Sequence, residues 1–194
     1  MQHRTTSFFE GLGEAIRTVA CTDAAGAEMT REAAYDATLA RALETTSRGG
    51  HIFFIGNGGS AGIASHMAND FSKNGAMPAL CFNDGAALTC LGNDFGFEHV
   101  FAKQMEFHAR RGDLLVAISS SGNSANILLA VEAARKIGCG VVTMSGFSAE
   151  NKLRRLGDVN FHVGVKDYGL VEVAHTALIH AVVDLKMSLT GVAG

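Results

Sequence analysis

The residues best suited to chemistry in this sequence fall in one stretch, HIFFIGNGGSAGIASHMANDFS at 51–72. At its centre is a glycine-rich loop, GNGGS at 56–60, where the backbone can approach a ligand closely. This loop joins an apolar run to a predicted helix, and the free N–H groups at a helix start bind anions. His66 and Asp70 follow four residues apart, so they share one face of that helix. Loop, imidazole and carboxylate therefore lie within roughly 15 Å at ~1.5 Å per residue, which suits a small phosphorylated metabolite.

A second loop of small polar residues, SSSGNS at 119–124, follows another apolar run, DLLVAIS at 113–119. Its hydroxyl groups and the amides of the next helix start suit one compact phosphate dianion. Those hydroxyl groups belong to Ser119, Ser120, Ser121 and Ser124. The same loop would also serve as an ordinary helix cap, since serine and asparagine cap helices in any context.

The first loop also matches the looser dinucleotide fingerprint GxGxxA, through Gly56, Gly58 and Ala61. Asp84 follows some twenty residues later, where such sites hold a ribose hydroxyl. The second loop favours a sugar phosphate instead, because a dinucleotide site needs only the first loop. We therefore expect no nucleotide cofactor.

Alternating strands and helices must position these residues. Short apolar runs predict five strands, at 52–55, 79–82, 113–119, 140–145 and 159–163. Apolar spacing predicts helices at about 4–22, 28–48, 60–72, 86–91, 101–110, 125–137, 151–156 and 170–189. This order is typical of a doubly wound α/β domain with a five-stranded parallel sheet, in which ligands bind beyond the carboxyl ends of the strands.

The two helices before the first strand cannot be crossovers between parallel strands. They cover a sheet edge, pack against another subunit, or form a plain cap on the domain. A turn at 22–27 separates them, and a polar and aromatic loop is predicted at 92–97. We expect one domain over 1–194, with N-terminal helices in 1–49 and the α/β core in 50–194.

Composition restricts the class of protein. The 194 residues suffice for one sizeable core, and 47% hydrophobic with 18% charged residues is typical of a globular chain. A net charge of -3 gives no electrostatic reason to expect nucleic acid. No apolar run reaches the ~18 residues of a membrane span, and the first residues lack the apolar core of a signal peptide. We expect a cytoplasmic protein that binds neither nucleic acid nor membrane.

Five motifs in combination resemble the SIS (sugar isomerase) domain family. They are GNGGSA at 56–61, HMAND at 66–70, GNDFGF at 92–97, ISSSGNSAN at 118–126 and EVAHTALIH at 172–180. Within that family the closest likeness is to the bacterial phosphoheptose isomerases, and it covers nearly the whole chain. The resemblance implies a flavodoxin-like sheet. It also implies an aldose–ketose isomerase that converts sedoheptulose 7-phosphate into D-glycero-D-manno-heptose 7-phosphate through a cis-enediol.

The resemblance also implies roles for single residues. In that family the serine-rich loop holds the phosphate, while the glycine loop and an Asn-Asp pair contact the sugar. The implied substrate contacts are Ser119, Ser120, Ser121, Ser124, Asn57, Gly58, Gly59, Ser60, Asn93 and Asp94. The positions that bind zinc, or another divalent metal, fall on His66, Asp70, Glu172 and His180. Members of the family form homotetramers with sites at subunit interfaces.

Two residues depart from the family pattern. Asp70 replaces a glutamate and is one methylene shorter, and Glu172 replaces a glutamine and adds a charge. Either the sugar sits differently or Glu172 acts as the base, so the catalytic candidates are Asp70, His180 and Glu172, with Asp70 and His180 preferred. Two carboxylates beside two imidazoles favour a bound cation, because the carboxylates repel each other without one. The alternative is that these four residues form paired charges where two helices meet.

His175 is a further histidine to consider. Its i, i+3 spacing from Glu172 is seen in metal-binding helices. It differs from His180 by about 140° in helical angle, so both join one site only if that site spans much of the helix face.

A non-catalytic role is the main alternative. Some members of the family bind sugar phosphates or regulate other proteins, including one that promotes assembly of a bacterial replication initiator. That branch lacks the full set of acid and histidine residues. The presence here of the four predicted metal-binding residues favours an enzyme.

Overall fold

The computed structural model describes residues 2–190, with the side chains of residues 5–189, as a twisted sheet covered by helices on both faces. The strands are β1 (Ala20–Asp23), β2 (Glu28–Met29), β3 (Ile52–Ile55), β4 (Ala79–Cys81), β5 (Leu114–Ser119), β6 (Gly140–Gly146) and β7 (Val159–Val163). The helices are α1 (Gln2–Arg17), α2 (Arg31–Ser47), α3 (Gly59–Lys73), α4 (Gly85–Phe95), α5 (Val100–His108), α6 (Ala125–Ile137) and α7 (Tyr168–Thr190).

The strand order confirms the predicted α/β class. Across the sheet the order is β2-β1-β7-β6-β5-β3-β4, and the pairs from β7 to β4 are all parallel. Numbered along the chain, these five strands run 2-1-3-4-5, which is the flavodoxin-like order. The topological switch point therefore lies between β3 and β5.

The predicted count of five strands is wrong, because β1 and β2 add an antiparallel hairpin at the β7 edge. The predicted turn at 22–27 is mostly this hairpin. The Asp23 carboxylate accepts the N–H groups of Ala25 and Ala27, both at 2.9 Å, and Gly26 adopts a φ of 81°. Such short strands lack a sequence signal of their own, because pairing with β7 defines them.

Two apolar cores lie on opposite faces of the sheet, and successive residues of β3 point into different ones. Phe54 packs with α1, α2, α3 and α7, whereas Phe53 packs with α4, α5 and α6. All four residues of β3 and all six of β5 are buried. Their continuous apolar character follows from helices on both faces.

The leading helices cover part of the sheet in this chain. α1 packs on α7, and α2 contacts β1, β7 and α7. Both predicted helices run too far into the hairpin, since α1 ends at Arg17 and α2 begins after the N-cap residue Thr30. The Thr30 hydroxyl accepts the Ala33 N–H at 3.1 Å and so fixes where α2 begins.

The predicted loop at 92–97 is wrong for its first part, because α4 continues to Phe95. Asp84 caps this helix by accepting the Ala87 N–H at 2.8 Å, which gives that carboxylate a structural role. The helix ends at Gly96, whose φ is 88°. The predicted helix at 151–156 is a single 3-10 turn at Leu153–Arg155.

α7 has the length and apolar composition that a membrane span requires. Here one face of it is buried in the first core, through Val171, Ala174, Leu178, Ile179, Val182 and Val183. It contacts α1, α2 and α3. Its apolar composition is therefore explained by its place among α1, α2 and α3 on one face of the sheet. The polar residues described next lie on its other faces.

Candidate active site

The carboxyl ends of β3 and β5 bring the two small-residue loops side by side. The two strands are paired in parallel, with Ile55 opposite Ala117. Asn57 in the first loop and Asn126 in the first turn of α6 exchange two hydrogen bonds of 2.9 Å. This amide pair ties the loops together at the topological switch point.

A pocket of about 140 Å³ lies between the loops. It is lined by Asn57, Ser60, Ser119, Ser120, Ser121, Ser124, Tyr168 and Glu172. The Ser119 hydroxyl accepts the Gly122 N–H at 3.1 Å and thereby shapes the second loop. The Ser120 hydroxyl is buried and has no hydrogen-bond partner among the described residues. An unsatisfied buried hydroxyl is costly, so the pocket is suited to a polar ligand.

Three predicted metal-binding residues come together where α3 crosses α7. Asp70 Oδ2 lies 3.4 Å from His66 Nε2 and 3.3 Å from His180 Nε2. The ligand atoms of all three side chains lie within 4.8 Å of one another. Two imidazole nitrogens and one carboxylate oxygen form a donor set that fits a zinc ion with an open position for substrate.

Glu172 lies apart from this group. Its carboxylate is turned toward Gly59, so closely that a Cβ at residue 59 would overlap it. Eight residues separate Glu172 from His180, about 12 Å along the helix axis at 1.5 Å per residue. The structure therefore places Glu172 with the serine loop, and its role as a metal ligand or base stays a prediction.

Asn93 and Asp94 lie in the last turn of α4 and do not line the pocket of this chain. The Asn93 amide donates to Asp94 Oδ1 at 2.8 Å, and both residues are exposed. Their contact with a sugar stays a prediction.

Comparison with known proteins places the chain in a family. The profile of the SIS domain matches residues 24–146, which is more than half of the chain. This chain belongs to the SIS domain family. The phosphoheptose isomerase of Campylobacter concisus is 39% identical over 145 residues, which cover 72% of this SIS domain chain and 76% of that protein.

Solved structures of relatives share the whole SIS architecture. The phosphoheptose isomerase GmhA from Neisseria gonorrhoeae has a TM-score of 0.81 at 32% identity, covering 95% of this chain and 98% of that one. A phosphoheptose isomerase from Francisella tularensis has a TM-score of 0.83 at 26% identity, covering 97% and 98%.

The sequence analysis did not identify three residues that lie at the serine pocket or beside His180. Asn126 pairs with Asn57, and Tyr168 lines the serine pocket. Asp184 Oδ2 lies 3.2 Å from His180 Nδ1. Only the last contact had a readable signal, because residues four apart share a helix face.

His175 belongs to the core of the SIS domain and not to the metal-binding group. It is fully buried, and its Nε2–H donates to the Ser145 carbonyl at 3.0 Å. Burial lowers the pKa of His175 to about 4; the Ser145 bond raises it, and nearby His162 lowers it further. The imidazole is therefore neutral at physiological pH.

Acidification from about pH 6.5 to pH 4 is expected to destabilise the fold through His175. Histidine in an unfolded chain has a pKa near 6.5, so the unfolded state binds more protons over this range. The stabilising contribution is fully present above pH 6.5 and is lost as the pH falls toward 4, by roughly 3 kcal/mol. Urea midpoints across this range should depend less on pH in His175→Gln than in the wild type.

The matched control is His108→Gln, since His108 is exposed at the end of α5. It should retain the full pH dependence of the wild type. Equal pH dependence in His175→Gln and His108→Gln would contradict the assignment.

Proposed function

We propose that this SIS domain protein is a phosphoheptose isomerase, which interconverts sedoheptulose 7-phosphate and D-glycero-D-manno-heptose 7-phosphate. The observation that carries this proposal is the position of Asp70 between two imidazoles. These side chains lie about the length of an extended sugar phosphate from the serine pocket. His180 lies beside Asp70 and Glu172 lines the serine pocket, and the two residues are about 12 Å apart along α7. An extended seven-carbon chain with its phosphate ester has eight bonds from C1 to phosphorus and spans about 10 Å, since an extended chain advances ~1.2 Å per bond.

The chemistry is proton transfer between C1 and C2 through a cis-enediol. Asp70 removes the carbon-bound proton and returns it to the neighbouring carbon. His180 moves a proton between the two sugar oxygens, and its Nε2 lies 3.3 Å from Asp70 Oδ2. Positioned acid and base groups of this kind contribute ~10²–10⁴-fold to rate. No hydride transfer or nucleotide is needed.

We place the phosphate in the serine pocket. The buried Ser120 hydroxyl lacks a partner among the described residues, and a phosphate oxygen would satisfy it. Ser124 stands at the N-cap of α6, where the helix dipole favours an anion. Ser119 and Ser121 complete the serine loop. The glycine loop, through Asn57, Gly58, Gly59 and Ser60, would contact the sugar, as would Asn93 and Asp94.

We further propose that His66, Asp70 and His180 hold zinc or another divalent cation. Their mixed nitrogen and oxygen donors suit such an ion, and three protein ligands are usual in catalytic zinc sites. When bound, the ion would occupy His180 Nε2 and would itself stabilise negative charge on the enediolate oxygen, so proton transfer by His180 applies to the metal-free site. Glu172 is the remaining predicted ligand and would have to turn away from Gly59 to reach the group.

We propose a cytoplasmic homotetramer. Several aromatic side chains are exposed on the isolated chain, among them Phe9 at 64%, Phe97 at 61% and Phe107 at 61%. Exposed apolar patches often mark subunit contacts. Sedimentation equilibrium at micromolar concentration should give about four times the chain mass of 20.3 kDa, and a mass of one chain would contradict the proposal.

Deuterium exchange tests the reaction itself. In heavy water the protein should introduce deuterium at C1 or C2 of sedoheptulose 7-phosphate and form the heptose product. Five- and six-carbon sugar phosphates test the selectivity for chain length. Binding of sedoheptulose 7-phosphate without exchange, with zinc supplied, would contradict the enzyme and favour a sugar-phosphate-binding protein.

A further inference from the structure

His180 lies between two carboxylates in this structure. Its Nε2 lies 3.3 Å from Asp70 Oδ2, and its Nδ1 lies 3.2 Å from Asp184 Oδ2. Asp184 follows one helical turn after His180 on α7. We propose that Asp184 is a positioning residue, which holds the Nδ1–H of His180 and so directs the Nε2 lone pair toward the reacting group. This inference rests on the function proposed above for His180.

The single proton of a neutral imidazole determines what each nitrogen can do. An ionised carboxylate only accepts hydrogen bonds, so a bond to Asp184 requires the proton on Nδ1. Nε2 is then free to accept a proton or to bind a metal ion. With the proton on Nε2 instead, the Nδ1 lone pair would face the Asp184 carboxylate.

Asp70 and Asp184 compete for that proton, and the geometry of the two contacts favours Asp184. Asp70 has two more neighbours that can donate to it, His66 Nε2 at 3.4 Å and Asn74 Nδ2 at 3.4 Å. Among residues 5–189, His180 is the only hydrogen-bond partner of the Asp184 carboxylate. The Nδ1 contact with Asp184 has hydrogen-bond geometry, whereas the Nε2 contact with Asp70 is a close ion-pair distance only, so the structure favours the proton on Nδ1.

Because Asp184 is exposed, a role in positioning His180 can be tested without a large change in the stability of the fold. Its side chain is 65% exposed, and exposed ion pairs contribute little to folding. A carboxylate behind a metal-binding histidine, by contrast, typically changes metal affinity or activity by 10–100-fold, because it fixes the tautomer and the ring orientation. Removal of Asp184 should therefore affect His180 far more than it affects the fold.

The direct test is the tautomer of His180. Long-range ¹H–¹⁵N spectra of protein labelled with [¹⁵N]histidine identify which nitrogen carries the proton, and His180→Gln assigns the signal. At pH 8.5, in metal-free wild type, the proton should be on Nδ1. In Asp184→Ala it should move to Nε2, because Asp70 is then the only carboxylate in contact with His180 among residues 5–189.

Metal affinity and turnover provide a second test. Zinc affinity, measured by competition with a fluorescent indicator, should weaken 10–100-fold in Asp184→Ala, and kcat should fall at least tenfold with KM nearly unchanged. Asp184→Asn should recover much of both losses, since its amide oxygen can still accept the Nδ1–H. Glu132→Ala is the control, because Glu132 forms an exposed i, i+4 pair with Lys136 elsewhere.

The outcomes distinguish this inference from the proposed function. An unchanged tautomer in Asp184→Ala, with zinc affinity equal to that of Glu132→Ala, would overturn the positioning role even in an active isomerase. A tautomer that moves as expected would support it even if no isomerase activity were found, since that measurement needs neither metal nor substrate.

Discussion

Asp70→Asn is expected to lower the turnover number about a thousandfold. The amide keeps the size of the side chain but cannot accept the carbon-bound proton, and loss of a general base costs ~10²–10⁴ in rate. The phosphate pocket is formed by other residues, so KM should change by much less. The measurement is steady-state kinetics with sedoheptulose 7-phosphate, together with the melting temperature to show that the fold is kept.

Glu172→Gln is the matched comparison, because it makes the same chemical change in the other candidate base. The Glu172 carboxylate lines the serine pocket, where it would repel a phosphate dianion. We expect kcat within about tenfold of wild type. Inorganic phosphate should bind about tenfold more tightly, because the repulsion between charges ~5 Å apart, a few kcal/mol, is reduced by screening. A collapse of turnover in Glu172→Gln but not in Asp70→Asn would make Glu172 the base.

Gly122→Ala is expected to lose both stability and phosphate affinity. Gly122 has a φ of 63°, which costs an alanine ~1–2 kcal/mol. Its Cβ would also overlap the buried side chain of Asn151. That side chain donates to the Ser148 carbonyl at 2.7 Å and accepts the Arg154 N–H at 3.0 Å. We expect the unfolding free energy to fall by about 3 kcal/mol or more, since strain and lost hydrogen bonds add.

The same substitution should weaken inhibition by inorganic phosphate at least tenfold, because the serine loop must shift. Gly112→Ala is the control, since its φ of 92° imposes similar strain while nothing lies within 4 Å of its Cβ. Gly112 precedes β5, at the end of that strand opposite the serine loop. Equal phosphate inhibition constants in the two variants would contradict a phosphate site in that loop.

The parts of the fold with strong local signals were predictable. The runs at 52–55 and 159–163 and the helix at 125–137 occur with the predicted bounds. Each is a continuous apolar run or a regular apolar stripe, because helices cover both faces of the sheet. The hairpin of β1 and β2 was not predictable, since its few residues become strands only by pairing with β7.

The length of α4 shows tertiary packing and capping overriding local propensity. Gly92 and Asn93 favour turns, yet both lie inside the helix that Asp84 caps. A Cβ at Gly92 would lie 3.7 Å from Val100, so the helix packs closely against the start of α5. Packing and an N-terminal cap outweighed the turn propensity of these two residues.

The sequence by itself determined the fold class, the two loops beyond neighbouring strands and the shared face of His66 and Asp70. These follow from spacing, because residue separation fixes both the angle and the rise on a helix. Only the tertiary structure decided that His180 on α7 meets Asp70 on α3 and that Glu172 turns toward Gly59. Neighbours from other elements set the direction of a long side chain, and the missing Cβ of Gly59, on α3, leaves the space that Glu172 occupies.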